Sequence, residues 1–323
     1  MKRRWRTALG VLLVLAAGIL LGPFAVPVPE LQGTVPPESL TEADSLLVTI
    51  EGLQVHYKET GGGPRALVLL HGFGASLFSW QAVMQPLAQY GRVVAYDRPA
   101  FGLTSRPMPG EWQGENPYPA QAQAKMLLAF MDALGIRQAV LVGNSAGGAI
   151  ALLAALDAPE RVSALVLVDA AVYEAGGAPR ALLPFLSTPQ MRHLGPLVVR
   201  TFITRGDDLI RLAWHNPTRV KAETLAGYRK PLQVENWDRA LWELTASSRP
   251  LDLAERLDDV RQPTLVITGD DDRIVAPQSS IRLARELPSA RLVVLPHCGH
   301  VPHEECPDGF LEAVDRFVDA LPQ

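Results

Sequence analysis

The run QAVLVGNSAGGAIALLAAL, residues 138–156, decides how the chain folds. It opens as a continuous aliphatic strand, passes through the small residues Gly143 to Gly148, and continues as the helix-forming stretch AIALLAAL. A strand that enters a helix through Gly143-Asn144-Ser145-Ala146-Gly147 must turn sharply, and only small neighbours permit it. Gly143 and Gly147 let strand and helix approach closely, while Ser145 takes a strained backbone that lifts its hydroxyl at the carboxyl end of a sheet. The first N–H groups of the helix add positive potential beside that hydroxyl.

Outward from this point the same rhythm repeats. Residues 66–70 (ALVLL), 92–96 (RVVAY), 164–168 (ALVLV), 264–268 (TLVIT) and 291–295 (RLVVL) are aliphatic runs that suit strands of a parallel sheet buried on both faces. Helical patterns separate them at 79–89, 119–134, 277–287 and 307–320, and two short alternating runs, 45–51 and 53–59, read as an antiparallel hairpin. The expected class is α/β: a mostly parallel sheet with helices on both faces, and a helical cap inserted after the sixth strand. The cap is expected over 172–248, where no strand-like run occurs, leaving 45–171 and 249–323 as the core.

The chain of 323 residues carries a net charge of −4, is 48% hydrophobic and has two Cys. That composition excludes disordered, collagen-like and disulfide-scaffold classes. With Lys2, Arg3, Arg4 and Arg6 crowding the start, the remainder is more acidic still, which argues against a nucleic-acid partner. Those basic residues precede the uncharged run 7–21 and a Pro-rich linker, 27–44. Residues 1–26 are therefore expected to be a membrane anchor that spans the bilayer, with a cleaved signal segment as the alternative. Either places the catalytic domain on the non-cytoplasmic side, anchored in the first case and exported in the second. Cys298 and Cys306 fit a pair or two free thiols equally. His297, Cys298, His300 and His303 share one loop without a second ligand pair, so no metal site and no cofactor are expected.

Three groups follow strands in the order serine, acid, histidine: Ser145, the aspartates Asp270, Asp271 and Asp272, and His300. Asp169 ends another strand and is a further candidate acid. His71-Gly72-Phe73-Gly74 follows the strand 66–70, where a second oxyanion donor would sit. These motifs, with the loop 96–105 (YDRPAFGLTS), resemble those of the α/β-hydrolase superfamily over residues 45–323. Ala100 stands where that loop usually has Gly. The resemblance implies Ser145 as nucleophile, His300 as base and then acid, Asp272 as the residue orienting His300, and the N–H groups of Phe73 and Ala146 as oxyanion donors. His71, Gly72, Gly143, Asn144 and Gly147 are expected to support them, His71 as a brace of the oxyanion loop.

Serine at the elbow argues against the dehalogenase and epoxide-hydrolase branches, which place Asp there. The expected reaction is hydrolysis of a carboxylic ester, thioester or lactone through an acyl-enzyme on a small, apolar substrate. An alternative is carbon–carbon bond hydrolysis of the meta-cleavage type, whose enzymes share the G-N-S-x-G-G elbow and a helical cap; they typically follow the oxyanion loop with Gly-Pro, where this chain has Ala75-Ser76. A ligand receptor on the same fold is a third reading, since fold alone does not fix function. Neither the individual substrate nor the oligomeric state is legible in the sequence.

Overall fold

The computed structural model describes residues 2–173 and 180–321. Residues 174–179 of the expected cap, and 322–323 of the expected core, lie outside the described residues. Eight strands form one sheet: β1 (Leu46–Ile50), β2 (Leu53–Thr60), β3 (Ala66–Leu70), β4 (Arg92–Tyr96), β5 (Ala139–Asn144), β6 (Val162–Val168), β7 (Thr264–Gly269) and β8 (Ala290–Leu295). Their order is β1-β2-β4-β3-β5-β6-β7-β8. Only β1 with β2 and β2 with β4 pair antiparallel; every later pair is parallel.

The described helices are α1 (Lys2–Leu21), α2 (Gln81–Leu87), α3 (Ala120–Ala133), α4 (Ala146–Asp157), α5 (Leu183–Leu186), α6 (Pro189–Ile203), α7 (Gly206–Leu212), α8 (Ala222–Arg229), α9 (Trp237–Ala246), α10 (Pro277–Glu286), α11 (Pro302–Glu305) and α12 (Pro307–Val318). The sheet separates two cores. On one side Leu127 and Phe130 of α3, Ile150 of α4 and Leu283 of α10 pack on Val68, Leu141 and Val266. On the other, Val83 of α2 and Phe310 and Val314 of α12 pack on Leu67, Val142 and Ile267. Alternate residues of β3, β5 and β7 thus serve opposite cores, which is why these strands read as unbroken aliphatic runs. Strand β8 departs from the expected two-sided burial: Leu292 and Val294 are exposed. It is the edge strand, so one flank has no neighbouring strand and its outer residues are left in part uncovered.

Helices α5 to α9 lie between β6 and β7 in the chain and cover the carboxyl ends of the central strands. Val199, Trp237, Trp242 and Ala246 form a core of their own, and Gly195 of α6 sits so close to Trp242 that a Cβ there would overlap the indole. Among the described residues no helix is long and apolar enough to cross a membrane, so the spanning anchor expected over 1–26 is not supported. The basic cluster occupies the first turns of α1, and the uncharged part from Thr7 to Leu21 reaches roughly 22 Å, short of the ~30 Å hydrocarbon core. A 3-10 turn, Gly22–Ala25, ends the helix at Pro23. Val11, Leu12, Val14 and Ile19 of α1 are nonetheless exposed. The end of this segment rests on α6: Gln190 Nε2 donates to Leu20 O at 3.0 Å, and Phe24 packs against the His193 ring.

Candidate active site

Strand β5 delivers Ser145 at the turn into α4 with φ 51° and ψ −119°, a strained backbone for a residue with a side chain. Small residues hold this turn as expected. A Cβ on Gly143 would meet Gly147 O and Gly148 Cα at 2.6 Å, and one on Gly147 would meet Leu70 O at 2.2 Å. The turn is tied down by Ser145 N–H to Val168 O at 2.9 Å and Ala171 N–H to Ser145 O at 3.1 Å. Asn144 Nδ2 donates to His300 O at 3.0 Å and to Val168 O at 3.2 Å, linking the elbow to the histidine loop and to β6.

The loop after β8 carries His300, and the loop after β7 carries Asp272. His300 Nδ1 and Asp272 Oδ2 lie 2.7 Å apart, and both residues are buried. Asp272 Oδ1 accepts the N–H groups of Ile274 at 2.8 Å and Val275 at 3.0 Å. A carboxylate at Nδ1 fixes the tautomer that leaves Nε2 free to accept a proton. The other two aspartates of the loop have different work: Asp271 binds His215 and Arg273, and Asp270 Oδ1 accepts Cys298 N–H at 3.3 Å. Asp169 is fully buried behind the pair; one ligand atom each of Asp169, Asp272 and His300 lies within 4.8 Å of the others.

Gly72 and Phe73 complete the floor. A Cβ on Gly72 would meet Asn144 Oδ1 at 2.8 Å and Ser145 Cβ at 3.2 Å, so glycine is what lets this loop reach the serine. His71 is bonded within it: Nδ1 donates to Gly72 O at 2.8 Å, and Nε2 accepts Arg98 N–H at 3.0 Å. Burial, and then the Arg98 charge, push His71 down to about 3, so it stays neutral and keeps both bonds. Arg98 in turn donates to His71 O at 2.8 Å, Gly72 O at 3.0 Å and Gln123 Oε1 at 2.8 Å. Ala100 keeps the loop's sharp turn with φ 76° although it carries a Cβ.

Sequence reasoning did not find Glu305. It is buried on α11 and accepts Gly299 N–H at 2.9 Å and His215 N–H at 2.8 Å on Oε2, and Asn216 N–H at 2.9 Å on Oε1. His300 N–H donates to Ala213 O at 2.7 Å. The histidine loop is therefore bonded to the segment 213–216, and no sequence motif announces such a junction because its partners are all backbone groups. Cys298 and Cys306 form a disulfide that closes the same loop.

Ser145, His300, Phe73 and Ala146 all line one cavity of about 1680 Å³ between sheet and cap. Ligand pockets usually span about 300–1,000 Å³. Its walls are mainly aliphatic and aromatic, with Val198, Leu209, Ile210, Trp214, Leu232 and Leu241 contributed by the segment between β6 and β7. A strained serine and a carboxylate-bound histidine that line one apolar cavity together with Phe73 and Ala146 can transfer an acyl group to water. His215 and His303 do not line it. His303 stacks on Trp80 with ring centroids 4.0 Å apart, and burial pushes it down to about 3.

A family model described as the alpha/beta hydrolase fold matches residues 65–307. The uncharacterized hydrolase YugF of Bacillus subtilis is 30% identical over 278 residues, covering 84% of this chain and 96% of its own. A 2-hydroxy-6-oxononadienedioate/2-hydroxy-6-oxononatrienedioate hydrolase of Burkholderia vietnamiensis is 32% identical, covering 82% and 91%. Among solved structures, a membrane phospholipase A described as a bacterial virulence factor is similar at a TM-score of 0.67 and 26% identity, over 99% of this chain and 98% of its own.

Proposed function

The chain belongs to the alpha/beta hydrolase fold family, and we propose that within it this protein is a serine hydrolase of lipophilic carboxylic esters. His300 Nε2 takes the proton of Ser145 Oγ as that oxygen attacks the ester carbonyl, and Asp272 stabilises the imidazolium that forms. The N–H groups of Phe73 and Ala146 donate to the oxyanion. His300 then returns the proton to the departing alcohol, and a water activated by the same nitrogen releases the acid from Ser145.

The observation that carries the ester reading is the cavity's polarity. Its walls are largely apolar, and the described cations that line it are engaged or peripheral: Arg98 is held by the His71 and Gly72 carbonyls and by Gln123, Arg229 pairs with Asp207, Arg273 with Asp271 and Arg282 with Glu286, and Arg249 is exposed. A carboxylated diketone would meet one buried cation, Arg98, already turned toward three neutral acceptors, whereas a neutral acyl chain finds matching walls. Carbon–carbon bond hydrolysis is the second reading, favoured by relatives named for it at 30% and 32% identity. A kinetic series decides between them. Lengthening p-nitrophenyl esters from acetate to octanoate is expected to raise kcat/KM by up to about fifteen-fold per two methylenes, at ~0.8 kcal/mol for each buried one. Turnover of a 2-hydroxy-6-oxo-dienoate with no gain along the ester series would replace the ester reading by the second.

We also propose that α1 associates with a lipid surface on the non-cytoplasmic side. Its apolar residues are exposed, it follows a basic cluster, and the solved relative that extends over the same segment is a membrane phospholipase A. The Cys298–Cys306 disulfide suits an oxidising compartment.

A further inference from the structure

Asp169, at the carboxyl end of β6, has no part in the proposed reaction, yet it is fully buried and no protein donor reaches either carboxyl oxygen with good hydrogen-bond geometry. Buried carboxylates are normally paired, because an unpaired charge is costly in a low-dielectric interior. Its nearest titratable neighbours are Asp272 and His300, with Thr268 and the Gly269 backbone alongside. Two carboxylates in one dry site do not both ionise. Asp272 already receives the Ile274 and Val275 N–H groups and faces His300 Nδ1, so the charge belongs there. The proton belongs on Asp169, where burial and the Asp272 charge outweigh the Thr268 and Gly269 groups beside it.

We propose that Asp169 is a positioning residue: it carries a proton, donates it to the Asp272 carboxylate, and so holds Asp272 against His300 while drawing off part of its charge. This rests on the assignment of Ser145, His300 and Asp272 made above. The backbone supports a built position. Asp169 has φ 46°, an uncommon conformation for a residue with a side chain, and is held by its N–H to Ile267 O at 2.9 Å, one residue from the Val168 carbonyl that ties down Ser145. Asp169 does not line the substrate cavity, so it acts through Asp272 and not on substrate. Burial first, and the Asp272 charge second, raise its carboxyl well above the ordinary range.

The acid limb of kcat/KM reports the protonation of free His300 and separates a neutral Asp169 from an ionised one. In the full chain, with p-nitrophenyl butyrate as substrate, Asp169→Asn keeps a donor for Asp272 and is expected to leave the limb in place. Asp169→Leu removes the donor, leaves Asp272 more basic and moves the limb to higher pH, by about half a unit or more. A limb displaced to lower pH in either variant means that Asp169 was ionised and overturns the proposal. An unmoved limb in a folded Asp169→Leu protein overturns it too. If that variant does not fold, the Asp169→Asn limb alone decides. Ser145→Ala is measured alongside: full activity there refutes the triad assignment itself, whereas an inactive Ser145→Ala with an overturning Asp169 result refutes only this inference.

Discussion

Asp272 shows how far single residues carry the chemistry. Its Oδ1 is committed to two backbone N–H groups and its Oδ2 to His300. In Asp272→Asn the amide oxygen would keep the backbone bonds and the amide nitrogen would face Nδ1, forcing the proton onto Nε2, where a base is needed. The expected loss in kcat is about 10³–10⁴-fold with the fold intact, measured by ester turnover beside a melting curve; a loss under tenfold would remove Asp272 from the role. Choosing Asp272 from three consecutive aspartates needed the family resemblance, because what distinguishes it is the direction of a loop. Ser145 was legible outright, since a strand, a small-residue turn and a helix leave its backbone only one route. Glu305 was not, because its three partners are backbone groups on segments distant in sequence.

At the scale of elements, legibility followed periodicity. The strands and the core helices emerged within a residue or two, and the helical character of the segment 172–248 agrees with α5 to α9. The boundaries of the individual cap helices are not legible, α6 least of all. Gly195 and Pro196 lie inside it and read as a break, but Gly195 is there to admit Trp242 of α9, a packing reason that only the folded cap reveals. Helix α1 was expected, and its length corrects the spanning role assigned to it. An exposed apolar helix behind a basic cluster is predicted to bind anionic vesicles. The full chain should float with phosphatidylglycerol-containing vesicles and a chain starting at residue 27 should not, with ester hydrolysis retained in solution. Equal flotation of the two would dismiss α1 as the lipid contact.

Over the whole molecule, buried titratable groups set how stability responds to pH. Burial pushes Glu304, beneath Tyr228 of the cap, up to about 8. Between its ordinary value near 4.5 and about 8 the folded state keeps a proton that the unfolded chain releases, so this contribution is full below that window and lost as pH rises through it. His71 and His303, pushed down to about 3, act oppositely: their contribution is present above 6.5 and lost as pH falls. With two histidines against one glutamate, the opposed slopes predict a melting temperature that is highest near pH 6.5 and declines toward pH 8.5, a decline that Glu304→Gln should lessen. A melting temperature that climbs steadily from pH 6.5 to 8.5 would contradict these assignments. The fold and the positions of Ser145 and His300 just beyond strands were legible from the sequence because they lie in local patterns, whereas the cavity was not, being made where cap meets sheet. The claim on which the account turns is that Ser145 becomes covalently acylated. The most direct measurement is intact-protein and peptide mass after a fluorophosphonate probe, on the wild type and on Ser145→Ala. One probe per chain, located on Ser145 and absent from the variant, is the predicted result; a folded wild type that takes up no label, or takes it up elsewhere, would contradict the account.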